Sequence, residues 1–132
     1  MNSTFWKSAD TSSENMSYFT DKKYKYDFIA DMADEMKFSP LKGYDFRETA
    51  RKNSLSYEHF RKLFREYNGM APYDYLLRCR MEHAAKILQE EEVPVKELAE
   101  LFKFDGMSSF SRMFKRKMGV SPANYLNMYK RR

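Results

Sequence analysis

At 132 residues the chain can hold one ordinary domain or two very small ones sharing a helix, and its 42% hydrophobic content is enough to fill a core. No apolar run approaches the roughly 18 residues of a membrane span, the polar start Met1–Asn15 lacks the apolar stretch of a secretory signal, and the single Cys79 with only two histidines, His59 and His83, excludes an internal disulfide and any zinc-ligand spacing while fitting a reducing cytoplasm. Net charge is +5 and unevenly spread: from Lys103 onward eight basic residues face one acid, Asp105, whereas residues 1–43 carry six basic and seven acidic groups, so the basic C-terminal third favours a nucleic-acid surface over a merely solvated face.

Residues 1–20, rich in Ser, Thr, Asn and Asp, read as a flexible arm or the end of a linker. Thr20-Asp21 offers an N-cap for a helix to about Lys37, with Phe28, Ile29, Met32 and Met36 on its apolar stripe, before Ser39-Pro40 and Gly43 break the pattern. Asp45 caps a short helix from Phe46 to about Lys52, which Asn53-Ser54 ends. Ser56 caps the next, to about Tyr67, before Asn68-Gly69. In that helix Phe60, Leu63, Phe64 and Tyr67 share one face and Glu58, Arg61, Lys62 and Arg65 the opposite one. Pro72 opens a long helix to about Gln89, with Tyr75, Leu76, Cys79, Ala84, Ile87 and Leu88 supplying much of its buried surface. The acidic run Glu90-Glu91-Glu92 and Pro94 separate it from Val95 to about Phe102, Met107 to about Met118, and a last helix from Pro122 to about Tyr129. The chain reads as all-α, with about seven helices.

An internal repeat organises these elements. Phe60, Phe64, Gly69, Pro72, Tyr75 and Leu76 recur 50 positions later as Phe110, Phe114, Gly119, Pro122, Tyr125 and Leu126. Upstream, Ala50 and Ala99 precede the first Phe of each copy by ten and eleven residues, small residues that let two helices approach closely. Each copy is thus a short helix, a tight turn and a longer helix. The aromatic stripe is core, and the outer face is basic at matching places, Lys62 with Arg112 and Arg65 with Lys115. The domain plan is an arm (1–20), a first helix-turn-helix subdomain (21–71), a linker helix (72–89) and a second subdomain (90–132).

The stretch Leu98-Ala99 to Phe104, then Ser109-Phe110-Ser111-Arg112-Met113-Phe114-Lys115 with the trailing Gly119, Ser121-Pro122 and Tyr125, resembles the second helix-turn-helix of the AraC/XylS family of bacterial transcription regulators. Arg80, Ala84-Ala85 and Leu88 are similar to that family's linker helix, and the resemblance extends over roughly residues 26–130. It implies two homeodomain-like subdomains joined by a long helix, with sequence-specific binding of double-stranded DNA through successive major grooves about 10 base pairs apart. Two departures stand out. Lys103 occupies a turn position where the family usually has glycine, which implies a strained or differently shaped turn. Thr49 and Asn53 replace usual apolar residues, which implies a less tightly packed first unit.

Carried over by position, the resemblance assigns base reading to Met107, Ser108, Ser111 and Arg112 in the second unit and to Glu58, Arg61 and Lys62 in the first. Arg112 leads, because a guanidinium can hold guanine O6 and N7 together. Glu58 could accept from cytosine N4 or pair within its helix with Arg61 or Lys62. Lys115, Arg116 and Arg65 are better placed for phosphates, with Arg116 and Lys117 as well explained by solvated surface. The partners expected are double-stranded DNA, RNA polymerase and an effector-binding or dimerisation domain outside this chain, with no membrane, cofactor or metal. Two other readings stand beside this one. DNA-repair methyl-transfer proteins of the Ada type carry such a domain, but they need a nucleophilic cysteine, and Cys79 sits alone on an apolar helix face. The alternative is a helical protein-interaction module of the same fold without specific DNA binding.

Overall fold

The computed structural model describes the backbone of residues 13–130 and the side chains of residues 26–129. Within them lie seven helices and no strand: α1 (Ser13–Phe38), α2 (Phe46–Lys52), α3 (Tyr57–Asn68), α4 (Pro72–Glu90), α5 (Val95–Leu101), α6 (Met107–Met118) and α7 (Pro122–Lys130). Helices α2–α3 and α5–α6 form two helix-turn-helix units, and α4 joins them.

The helix starts follow from local chemistry. Asp45 and Ser56 have extended backbones and accept the N–H groups of Glu48 and His59 at 3.1 Å each, satisfying donors that α2 and α3 leave without an internal partner. Pro72 and Pro122 open α4 and α7, where a missing N–H costs nothing. Gly69 (φ 84°) and Gly119 (φ 88°) close α3 and α6 in the left-handed region, donating to the carbonyls of Arg65 and Lys115 at 2.8 Å. The first helix departs from expectation. It is already formed at Ser13, ahead of the Thr20-Asp21 cap, because residues 13–20 contain neither Pro nor Gly and a nucleated helix extends readily through such a stretch. Of the arm expected over residues 1–20, residues 1–12 lie outside the described residues.

Two hydrophobic clusters fill the interior. Ile29 and Met36 of α1, Ala50 of α2, Phe60 and Phe64 of α3, and Leu76 and Cys79 of α4 belong to the first. Met81, Ala84 and Leu88 of α4, Leu98 and Ala99 of α5, and Phe110 and Phe114 of α6 belong to the second. The four phenylalanines are fully buried, so truncating any one to alanine removes about 3–5 kcal/mol. The repeat extends to ring geometry. Phe64 meets Tyr75 edge-on at 5.4 Å and 74°, and Phe114 meets Tyr125 at 5.6 Å and 75°.

Because α4 serves both clusters, it is buried on more than one face. A single-stripe reading therefore overlooks Leu77, Met81 and Ala85, all buried, while Tyr75 and Ile87 are only half-buried. Tyr67 also leaves the expected α3 stripe. It is 51% exposed, with its ring stacked on Tyr26 at 5.9 Å, as suits a phenol that packs its ring and wets its hydroxyl.

The two turns are built alike. In the first, the N–H groups of Ser54 and Leu55 donate to Arg51 and Ala50; in the second, those of Lys103 and Phe104 donate to Glu100 and Ala99, at 2.9–3.0 Å throughout. This is the paired hydrogen-bond pattern that ends a helix in a left-handed residue. Ser54 (φ 59°) and Lys103 (φ 63°) hold that position. Lys103 thus carries the strained backbone its lack of glycine implies, but its turn has the same shape as the first. The polar residues of the first unit bond within their own helix. Thr49 Oγ1 donates to the Asp45 carbonyl and Asn53 Nδ2 to the Thr49 carbonyl, both at 2.9 Å, while Phe46 and Ala50 stay buried beside them.

Candidate nucleic-acid interface

Burying Phe60 and Phe64, and Phe110 and Phe114, fixes which face of α3 and α6 looks outward. On α3, Glu58, Lys62 and Arg65 follow one another at i, i+4 and i+7, with Arg61 alongside, and all four are exposed. On α6, Ser108, Arg112 and Lys115 form the matching exposed stripe, with Met107 (48% exposed) at its head and Arg116 beside it. Ser111 is half-buried and sits at the flank of that stripe. The ten sequence-predicted residues therefore gather on two separate helix faces, seven of them basic or acidic side chains open to water.

Other cations of the fold are already engaged. Lys42 pairs with Glu35, Arg51 with Glu48, and Arg78 with Glu82 at 3.6 Å. Arg80 donates to the carbonyls of Pro40 (2.7 Å) and Lys42 (3.3 Å), tying α4 to the α1–α2 loop. Lys117, mostly buried, reaches Asp74 in the first turn of α4 at 3.9 Å, a link between the second unit and the start of the connecting helix. That contact sets Lys117 apart from the solvated-surface reading. By contrast, among the described residues no carboxylate lies within ion-pairing distance of Arg61, Lys62, Arg65, Arg112, Lys115 or Arg116. Glu58 likewise lacks the intrahelical partner considered for it. Cations held apart from carboxylates keep their attraction for an external anion.

Sequence reasoning missed two residues here. Arg47, in the first turn of α2, places its guanidinium 4.3 Å from the ring centroid of Tyr57 at the start of α3, and the Arg61 guanidinium lies 6.0 Å from the same centroid. Both distances fit cation–π attraction. The ten-residue separation of Arg47 and Tyr57 crosses a turn, so no helical period reveals it. Cys79 is buried, and burial pushes its thiol above the ordinary range. Among the described residues no group of His, Cys, Asp and Glu is arranged to hold a metal, and no helix is long and apolar enough to cross a membrane.

Two short-helix, tight-turn, long-helix units on one shared helix, each turning a charged second helix outward, define a double helix-turn-helix protein. Residues 49–128 match the family described as a helix-turn-helix domain. The chain belongs to the AraC-type helix-turn-helix family. It is 37% identical over 71 residues to a probable transcriptional regulator, LumQ, of Photobacterium leiognathi, a match taking in 54% of this chain and 29% of that protein. A match to the transcriptional activator AarP of Providencia stuartii is 33% identical and takes in 59% of this chain and 58% of that protein. The chain spans less than two thirds of the length of the curated relatives it matches. Among solved structures, the DNA-binding domain of AdpA, a global transcriptional factor seen in complex with a target DNA, aligns with a TM-score of 0.66 and 25% identity. That alignment covers 78% of this chain and 93% of that one.

Proposed function

We propose that the chain binds double-stranded DNA sequence-specifically and regulates transcription, with α3 and α6 entering successive major grooves on one face of the duplex. The observation that carries this reading is the matched pair of outward stripes, Glu58-Lys62-Arg65 and Ser108-Arg112-Lys115, each backed by two fully buried phenylalanines and joined by one helix. An α-helix fits the major groove, where side chains read base edges while nearby cations hold phosphates. In this reading Met107, Ser108, Ser111 and Arg112 meet bases in one groove, and Glu58, Lys62 and Arg61 in the other. Lys115, Arg116 and Arg65 take the backbone. The AdpA domain, similar in fold, was solved with its target DNA, which supports the same docking here.

The reading extends to a non-enzymatic regulator in the cytoplasm that works with RNA polymerase and with an effector-binding or dimerisation domain outside this chain. A buried thiol of raised pKa supports a structural Cys79 over a methyl-accepting one. Selection of bound sequences from a random duplex pool tests the proposal: two preferred blocks about 10 base pairs apart are expected, with affinity falling steeply as salt rises. No duplex binding at low salt would remove it in favour of a protein-interaction module.

A further inference from the structure

The cleft at the start of the first unit's second helix is lined by Arg47, Ser56, Tyr57, Glu58 and Arg61. Two guanidiniums share one phenol ring there, at 4.3 Å and 6.0 Å from its centroid. Neither Arg47 nor Arg61 has a carboxylate within ion-pairing distance among the described residues, and both are exposed. One acid, Glu58, against two arginines leaves the cleft net positive, and the N-terminal end of the twelve-residue α3 adds to that potential. We infer that Arg47 and Arg61, held by the Tyr57 ring, form a clamp for one backbone phosphate of the duplex, with Tyr57 as its positioning residue.

Position favours a phosphate over a base edge, because Arg47 stands on α2, outside the helix that enters the groove in this reading. A guanidinium stacked on a ring keeps its in-plane N–H donors available, and that planar fork matches phosphate oxygens. Stacking also restrains a long side chain before binding, so less conformational freedom is lost when the anion arrives. A second guanidinium lines the same cleft, which suits an anion shared between two donors. The inference rests on the duplex-binding reading above and changes it in two respects. It adds Arg47, from outside the second helix, and it moves Arg61 from the base-reading set to the backbone set.

The test uses the full chain and two duplexes, a selected sequence and a random one, titrated over a salt series. Arg47→Ala and Arg61→Ala are each expected to weaken both duplexes about tenfold at low salt and to reduce the log–log salt slope by about 1, without changing base preference. Tyr57→Phe keeps the ring and should bind as the native chain does. Tyr57→Leu should lose several-fold on both duplexes while its thermal unfolding midpoint, followed by circular dichroism, identifies any loss that comes from unfolding. Native-like slope and affinity for Arg47→Ala would overturn the clamp while leaving duplex binding intact, as would relaxed preference at one base for Arg61→Ala. If the native chain binds neither duplex, the clamp falls together with the reading it rests on.

Discussion

Arg112 and Lys115 stand one helical turn apart on the same exposed face of α6, yet their chemistry separates their roles. A guanidinium offers a planar pair of donors that can match guanine O6 and N7, whereas an ammonium is a point charge suited to a phosphate. Arg112→Ala should cost about 1–3 kcal/mol on the preferred duplex and relax specificity at one base pair, while Lys115→Ala should weaken all duplexes to a similar degree. Binding titrations on the preferred site and its single-base variants distinguish the two, and an equal loss on every sequence for Arg112→Ala would remove its base-reading role. Their outward direction was legible in the sequence because both lie off the face that Phe110 and Phe114 bury, while their separate roles came from the family resemblance. The pairing of Arg47 with Tyr57 was not legible. Their stacking depends on the angle between α2 and α3, which no single-helix period encodes.

At the scale of the element, both turns place a residue with a Cβ in the left-handed region, Ser54 at φ 59° and Lys103 at φ 63°. The Cβ clash in that region costs roughly 1–2 kcal/mol, part of which glycine gives back through its freer unfolded chain. Lys103→Gly should therefore stabilise the fold by about 0.5–1 kcal/mol, seen as a higher urea midpoint with unchanged slope. A lower midpoint would mean that Lys103 makes a compensating interaction. The repeat locates a second improvement. Ser121 caps α7 by accepting the Asn124 N–H at 3.2 Å, but its counterpart Ala71 gives α4 no side-chain cap. Ala71→Ser should add about 1 kcal/mol by the same measurement. Helix ends marked by Asp45, Ser56, Pro72, Gly69 and Gly119 could be read from the sequence because each supplies a hydrogen bond or a backbone conformation locally. The start of α1 could not, since Thr20-Asp21 offers cap chemistry whether or not the helix has already begun.

For the whole molecule, the decisive feature is that α4 belongs to two cores at once. Its first half carries Leu76 and Cys79 into one cluster, and its second half carries Met81, Ala84 and Leu88 into the other. The duplication and the long joining helix were legible as a 50-residue offset and as apolar positions at helical spacing after Pro72; the division of α4 between two cores was not, because periodicity records which residues are apolar but not which neighbour covers them. Anchoring at both ends, helped by the Arg80 bonds to the α1–α2 loop and the Lys117–Asp74 pair, makes the nineteen-residue α4 a strut of roughly 28 Å rather than a tether. A strut fixes both the separation and the rotation of α3 relative to α6. Inserting about 5 base pairs between the two selected blocks turns the second groove to the far side of the duplex, so only one unit can engage. Affinity should then fall about 100-fold, the loss expected when a linked second contact becomes geometrically impossible. A flexible tether would recover affinity when about 10 base pairs are inserted and the groove faces back, because it could stretch by one helical turn. A strut cannot lengthen, so here the full-turn insertion should bind as weakly as the half-turn one. Gel-shift titrations of the three spacings decide the matter: recovery at the full turn would show that α4 yields, and equal affinity at all three would show that one unit alone carries the binding.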